Sequence, residues 1–136
     1  MRQLRALREE LALYAQLRGD GECDELQLAV YSGRGEAYQR HRDAIPDDAL
    51  DSRAEQLGCG RQRRITLVAY LGCDTATAPP EGGQLRLFPP SGAEGEGAPV
   101  DIQPRPRRLV CFLSGAIDHE VRPTLAFRAA ITAWLH

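Results

Sequence analysis

The chain has 136 residues, 17 of them basic and 19 acidic, for a formal net charge of −2. So even a balance gives no general reason to expect nucleic-acid or membrane-surface binding, and no apolar run is long enough to span a bilayer. A domain of this size buries roughly two-thirds of its unfolded surface, enough for one core without covalent staples.

The first element is an apolar stripe at helical spacing: Leu4, Leu7, Leu11 and Tyr14. It predicts an amphipathic helix over residues 2–17 rather than a charged-then-apolar export signal. Arg18-Gly19-Asp20-Gly21 ends it. From there short strand-like segments follow one another, near 25–31, 37–43, 64–71, 84–88, 100–103, 108–113, 118–122 and 126–135. Gly- and Pro-rich turns separate them, which suggests a sandwich or barrel rather than alternating β and α units. The expected organisation is one domain over 1–136, with a helical support over 1–22 and a β core over 25–136. Two long loops, 44–63 and 89–99, interrupt the strands. The first directly follows the pair His41 and Asp43, a placement that often marks function.

Cys23, Cys59, Cys73 and Cys111 form no C-x-x-C pair, which argues against a zinc ribbon or a thioredoxin-type site. Cys111 lies in Leu109-Val110-Cys111-Phe112-Leu113 and is expected to be a small buried hydrophobe. Free thiols in a reducing cytoplasm are the expected state.

The chemistry concentrates in His41-x-Asp43, followed by His119 and, nine residues later, Arg128. On a strand, His41 and Asp43 would point one way and Arg42 the other. Two histidines and a carboxylate can fill one face of an octahedral iron(II) and leave the opposite face open. His119, in Asp118-His119-Glu120-Val121, would come alongside from a distant strand. Arg128 would follow on the neighbouring antiparallel strand, where its planar fork suits a carboxylate. An internal Arg–Asp pair is the plainer alternative for Arg128. The third histidine, His136, ends the chain and is assigned no role. In the last strand Arg128, Ala130, Thr132 and Trp134 share one face. Phe127, Ala129, Ile131, Ala133 and Leu135 share the other, apolar throughout.

These segments also stand in a recognisable order. They are Tyr31-Ser32-Gly33, Tyr38-Gln39-Arg40-His41-Arg42-Asp43, Arg64-Ile65-Thr66 with Tyr70-Leu71, and Gly82-Gly83-Gln84-Leu85-Arg86-Leu87-Phe88. Asp101-Ile102-Gln103-Pro104, Arg108 to Ser114, His119 to Pro123 and Arg128 to Trp134 complete the set. From about Leu26 to the C-terminus the chain resembles the 2-oxoglutarate- and Fe(II)-dependent oxygenases, in their prolyl 4-hydroxylase branch. The likeness is greatest to the hypoxia-factor-type prolyl hydroxylases and their bacterial relatives. The resemblance implies a double-stranded β-helix, a cupin-like jelly-roll that is mainly β with a short N-terminal helix. It implies Fe(II) on His41, Asp43 and His119, and 2-oxoglutarate with its distal carboxylate on Arg128 and Tyr70. Thr132 would line that pocket and Tyr31 would stand near the iron-binding end of the co-substrate. Arg63 and Trp134 would line the substrate side, although Tyr70, Thr132, Tyr31, Arg63 and Trp134 could each instead be an ordinary sheet or surface residue.

The implied reaction consumes O2, releases succinate and CO2, is supported by ascorbate (vitamin C), and hydroxylates a prolyl residue in a protein or peptide. Free proline or another small molecule is the alternative substrate, and a non-catalytic jelly-roll binding module the alternative outside enzymology. The short N-terminal support and the lack of a C-terminal helix depart from the family. They bear on substrate binding more than on the iron site.

Overall fold

In the computed structural model, residues 2–15, 17, 25–46, 62–73, 82–90 and 97–136 are described. Helix α1 (Arg2–Ala15) precedes eight strands: β1 (Glu25–Tyr31), β2 (Tyr38–His41), β3 (Ile65–Cys73), β4 (Leu85–Phe88), β5 (Val100–Ile102), β6 (Leu109–Leu113), β7 (Asp118–Val121) and β8 (Arg128–Leu135). Each falls where the sequence pattern places a strand. Most of the two long loops (residues 47–61 and 91–96), together with Cys23, Cys59 and the side chain of Cys73, lies outside the described residues.

The strands form two four-stranded sheets, in the orders β1-β8-β3-β6 and β2-β7-β4-β5. Every named pairing is antiparallel. Apart from the β4–β5 step, the chain crosses from one sheet to the other at each successive strand. This winding is the double-stranded β-helix. It corrects one expectation: β7 and β8 are not neighbours, so His119 and Arg128 face each other from opposite sheets.

Period-two alternation decides which side chains meet between the sheets. Val68 and Tyr70 of β3, Ala130 of β8 and Val110 and Phe112 of β6 meet Leu85 and Val121 of the second sheet in one buried cluster. The other face of the first sheet is apolar as well. There Ile65, Leu67, Ala133 and Leu135 are covered by Leu7, Leu11, Ala15 and Leu17. The helix stripe therefore runs i, i+4, i+8 along Leu7, Leu11 and Ala15. Tyr14, expected within it, falls at its edge and is 86% exposed.

Two further residues depart from expectation. Cys111 pairs across the sheet with Leu67 on this outer side. Because β6 is an edge strand, its thiol is exposed rather than buried. His136 does have a partner: it is buried, and its Nε2 lies 3.1 Å from Glu25 Oε1.

The β1–β2 turn is pinned by one carboxylate. Gly33 sits at φ +90, where a Cβ would come within 2.8 Å of the Ala126 backbone, so only glycine fits. Glu36 accepts from the Ser32 hydroxyl and from the backbone N–H groups of Ser32, Gly33 and Arg34. It also accepts from the Thr124 hydroxyl at 3.1 Å. The Ser32 hydroxyl, then the backbone donors, lower its carboxyl from the usual 4.5 to about 2. The folded carboxyl thus keeps its charge at a pH where the unfolded one has taken up a proton. Its stabilisation is fully present above about pH 4.5 and is lost as pH falls towards 2. Acid unfolding of Glu36→Gln is expected to show a shallower pH dependence across that window, measured by denaturant melts at several pH values. Equal slopes would rule the assignment out.

Candidate metal centre

His41 and His119 are directly opposite each other in the β2–β7 ladder. Their rings lie 4.2 Å apart between centroids, and Phe112 packs on His119 at 4.8 Å. Each ring is oriented by a carbonyl two residues earlier. His41 Nδ1 lies 2.8 Å from Gln39 O, and His119 Nδ1 lies 3.4 Å from Ile117 O. With Nδ1–H donated there, each Nε2 lone pair faces inward, as a metal ligand requires. Burial holds His119 below the usual histidine range, against the opposing pull of Asp43. The ring is therefore neutral near pH 7, the state that can bind a cation.

Asp43 completes the cluster by a different route from the one the sequence suggests. β2 ends at His41, so Arg42 and Asp43 leave the strand and alternation no longer orients them. Arg42 borders the same cavity while its guanidinium pairs with Asp118 at 2.6 Å. Asp43 is turned inward by Thr66, whose hydroxyl donates to Oδ2 at 2.7 Å. Its Oδ1 stands 3.4 Å from His41 Nε2 and its Oδ2 3.6 Å from His119 Nε2. One ligand atom from each of the three residues lies within 4.8 Å of the others. Among the described residues this is the one His/Cys/Asp/Glu group arranged to hold a metal.

The three residues open into a cavity of about 320 Å³, in the range of small-molecule sites. Tyr31, Arg63, Arg128, Thr132 and Trp134 line it too. Arg128, at the start of β8, is only 3% exposed. Its guanidinium carbon lies 4.8 Å from the Tyr31 ring and 5.1 Å from the Tyr70 ring. Among the described residues it has no carboxylate partner, so the alternative of an internal Arg–Asp pair is not seen. Arg128 Nε and the Tyr70 hydroxyl are both buried without a hydrogen-bond partner. Burial raises Tyr70 above its usual range, although the nearby Arg128 charge pulls the other way. Tyr70 stands against Arg128 rather than in the cavity wall itself. A buried cation and donor left unmatched by the protein are costly unless an anion completes them.

At the other end of the cavity, the Arg63 guanidinium carbon lies over the Trp134 ring, 3.9 Å from its centroid. Glu25 holds it there at 2.6 Å. The hydrogen bonds of that pair raise the Arg63 pKa and lower that of Glu25. Trp134 Nε1 is buried without a partner. The sequence reading named Arg63 and Trp134 but missed Glu25, Thr66 and Ser114. All three are polar residues on inward-facing strand or turn positions, a signal visible only once the faces are assigned.

Three comparisons bear on this arrangement. Residues 26–136 match the model of the 2OG-Fe(II) oxygenase superfamily. The chain is 38% identical over 117 residues to the hypoxia-inducible factor prolyl hydroxylase of Caenorhabditis elegans, covering 84% of this chain and 13% of that protein. It is 37% identical over 108 residues to Egl nine homolog 1 of Homo sapiens, covering 79% of this chain and 21% of that one. It spans 13% to 40% of the length of these and similar curated relatives. Among solved structures, a Pseudomonas putida prolyl-4-hydroxylase superposes with a TM-score of 0.70 at 31% identity, covering 98% of this chain and 62% of the other. A Trichoplax adhaerens prolyl hydroxylase, solved with a hypoxia inducible factor oxygen degradation domain peptide fragment, gives 0.62 at 31% identity, covering 88% and 44%.

Proposed function

The chain belongs to the 2OG-Fe(II) oxygenase superfamily, and from that premise we propose that it is a dioxygenase that hydroxylates a prolyl residue in a protein or peptide. Fe(II) and 2-oxoglutarate are the metal and co-substrate of that superfamily. The observation that carries the site assignment is the unmatched pair of Arg128 and Tyr70. Both are buried, both have free donors, and Arg128 opens into the cavity that holds His41, Asp43 and His119.

In this reading His41 Nε2, an Asp43 oxygen and His119 Nε2 hold the iron, and Arg128 with the Tyr70 hydroxyl holds the distal carboxylate of 2-oxoglutarate. Thr132 and Tyr31 border the bound co-substrate. The iron and the 2-oxo acid, when bound, supply the oxidation, with succinate and CO2 as by-products. The protein's part would be geometry: the three ligand side chains converge at one point of the cavity, and Arg128 and Tyr70 would fix the co-substrate's far end. Arg63 and Trp134 form the substrate wall. A polypeptide presents a carbonyl oxygen on either side of a proline, and the unpartnered Trp134 Nε1–H is the donor at this end of the cavity that could reach one if the indole shifts.

The peptide reading is supported by relatives that are named prolyl hydroxylases, one of them solved with a peptide. Mass spectrometry decides it. Proline-containing peptides incubated with the protein, Fe(II), 2-oxoglutarate and ascorbate (expected to keep the iron reduced) should gain the mass of one oxygen. Efficient hydroxylation of free proline, with no peptide of a broad library modified, would replace this reading with a small-molecule one. Absence of 2-oxoglutarate turnover under every condition would leave a binding module.

A further inference from the structure

Asp43 is the one member of the triad that no strand orients, and the Thr66 hydroxyl that turns it inward is itself backed by a second side chain, Ser114. Thr66 and Ser114 are both completely buried, on β3 and just after β6. Thr66 Oγ1 lies 2.7 Å from Asp43 Oδ2 and 2.8 Å from Ser114 Oγ. A threonine hydroxyl has one proton, and an ionised carboxylate only accepts. The Thr66 proton therefore goes to Asp43, and the Ser114 proton must go to Thr66. The direction of the chain is fixed: Ser114 to Thr66 to Asp43 Oδ2.

The backbone repeats the link. Ser114 O accepts from Ala44 N at 3.2 Å, and Ser114 N donates to Arg64 O at 3.0 Å. The residue after Asp43 is thus tied to the turn that carries the second hydroxyl. The Asp43 side chain is only 4% exposed, so water cannot easily replace these donors.

We propose that Thr66 and Ser114 are positioning residues that occupy Asp43 Oδ2 and leave Oδ1 as the single metal-binding oxygen of the triad. A carboxylate can bind a divalent cation through one oxygen or both. Both oxygens lie near the histidine Nε2 atoms, Oδ1 at 3.4 Å from His41 and Oδ2 at 3.6 Å from His119, so it is the hydroxyl on Oδ2 that would hold Asp43 to one oxygen and preserve an open coordination position. Sequence spacing gives no hint of this, because Thr66 and Ser114 are separated from Asp43 by 23 and 71 residues. The inference rests on the metal-site reading above.

Co(II) is the probe, because the position and intensity of its visible absorption bands report coordination number without any turnover. The protein is titrated with Co(II), then with 2-oxoglutarate. Thr66→Val removes the hydroxyl at nearly constant volume. It is expected to weaken Co(II) binding by about 10–100-fold, the usual cost of losing an outer-shell partner, and to shift the bands towards a higher coordination number. Thr66→Ser is expected to restore both. Ser114→Ala is expected to move both readouts in the same direction by less, since Thr66 still donates to Asp43. A Thr66→Val protein with wild-type affinity and spectrum overturns this inference and leaves the metal site standing. Should that variant not fold, unchanged affinity and spectrum in Ser114→Ala overturn it equally. If the unsubstituted protein binds no Co(II), the metal-site reading falls, and this one with it.

Discussion

His119→Ala is expected to lose Fe(II) binding and 2-oxoglutarate turnover altogether while keeping its fold. The ring supplies one of three ligand atoms that lie within 4.8 Å of one another, and among the described residues no other His, Cys, Asp or Glu joins that group. Two remaining ligands cannot fill a face of the metal, so affinity falls and the geometry of what still binds is wrong. The structural cost is smaller. The ring touches Phe112 on one side but the cavity on the other. Truncation therefore empties space that is already open instead of leaving a sealed void, and the expected loss is about 1–2 kcal/mol. Metal-free thermal melting measures that loss, and anaerobic Fe(II) titration measures the site. Wild-type iron affinity together with wild-type turnover in this variant would mean that the triad is wrongly assigned.

The parts that were legible in the sequence are those that follow from alternation and chain order. The inner face of β8 is Arg128, Ala130, Thr132 and Trp134, as the two-residue period predicts, because a strand buried on both faces still sorts its polar groups to the wet one. The eight strands were readable because turn residues break them. Sheet membership was not. No local pattern distinguishes a strand that pairs with its neighbour from one that crosses to the facing sheet, and His119 and Arg128 were accordingly placed side by side instead of opposite. Asp43 shows the same limit at the scale of one residue. Alternation predicted its direction for a reason that does not apply, since β2 has ended by then, and its actual orientation comes from Thr66 on another strand. The exposure of Cys111 is not legible because its apolar neighbours hide the fact that β6 is an edge. Nor is the role of His136, whose partner Glu25 lies 111 residues earlier in the chain.

Arg128 sets function against stability, and separating the two gives the second large effect. In the protein alone its guanidinium is buried without a counter-charge among the described residues, and its Nε has no acceptor. Such a group costs stability until an anion arrives. Arg128→Met is therefore expected to melt at the same temperature as the parent or higher when no 2-oxoglutarate is present. With 2-oxoglutarate the order reverses. Losing a charge-assisted partner costs about 1.5–3 kcal/mol, roughly one to two orders of magnitude in affinity. A ligand at 100 times its Kd stabilises the parent by about 2.7 kcal/mol, and the variant forfeits most of that. Arg128→Lys is expected to be impaired too. The arginine lies over the rings of Tyr31 and Tyr70 and close to Gly83, where a Cβ would stand 3.4 Å from Arg128 Cδ. A lysine there keeps the charge but loses both the planar fork and the stacking. Melting curves of the three proteins with and without 2-oxoglutarate, in the presence of a divalent metal, provide the test. Unchanged 2-oxoglutarate affinity in Arg128→Met would remove the co-substrate from this end of the cavity. A large loss of ligand-free stability would show instead that the arginine is held by the protein for its own sake.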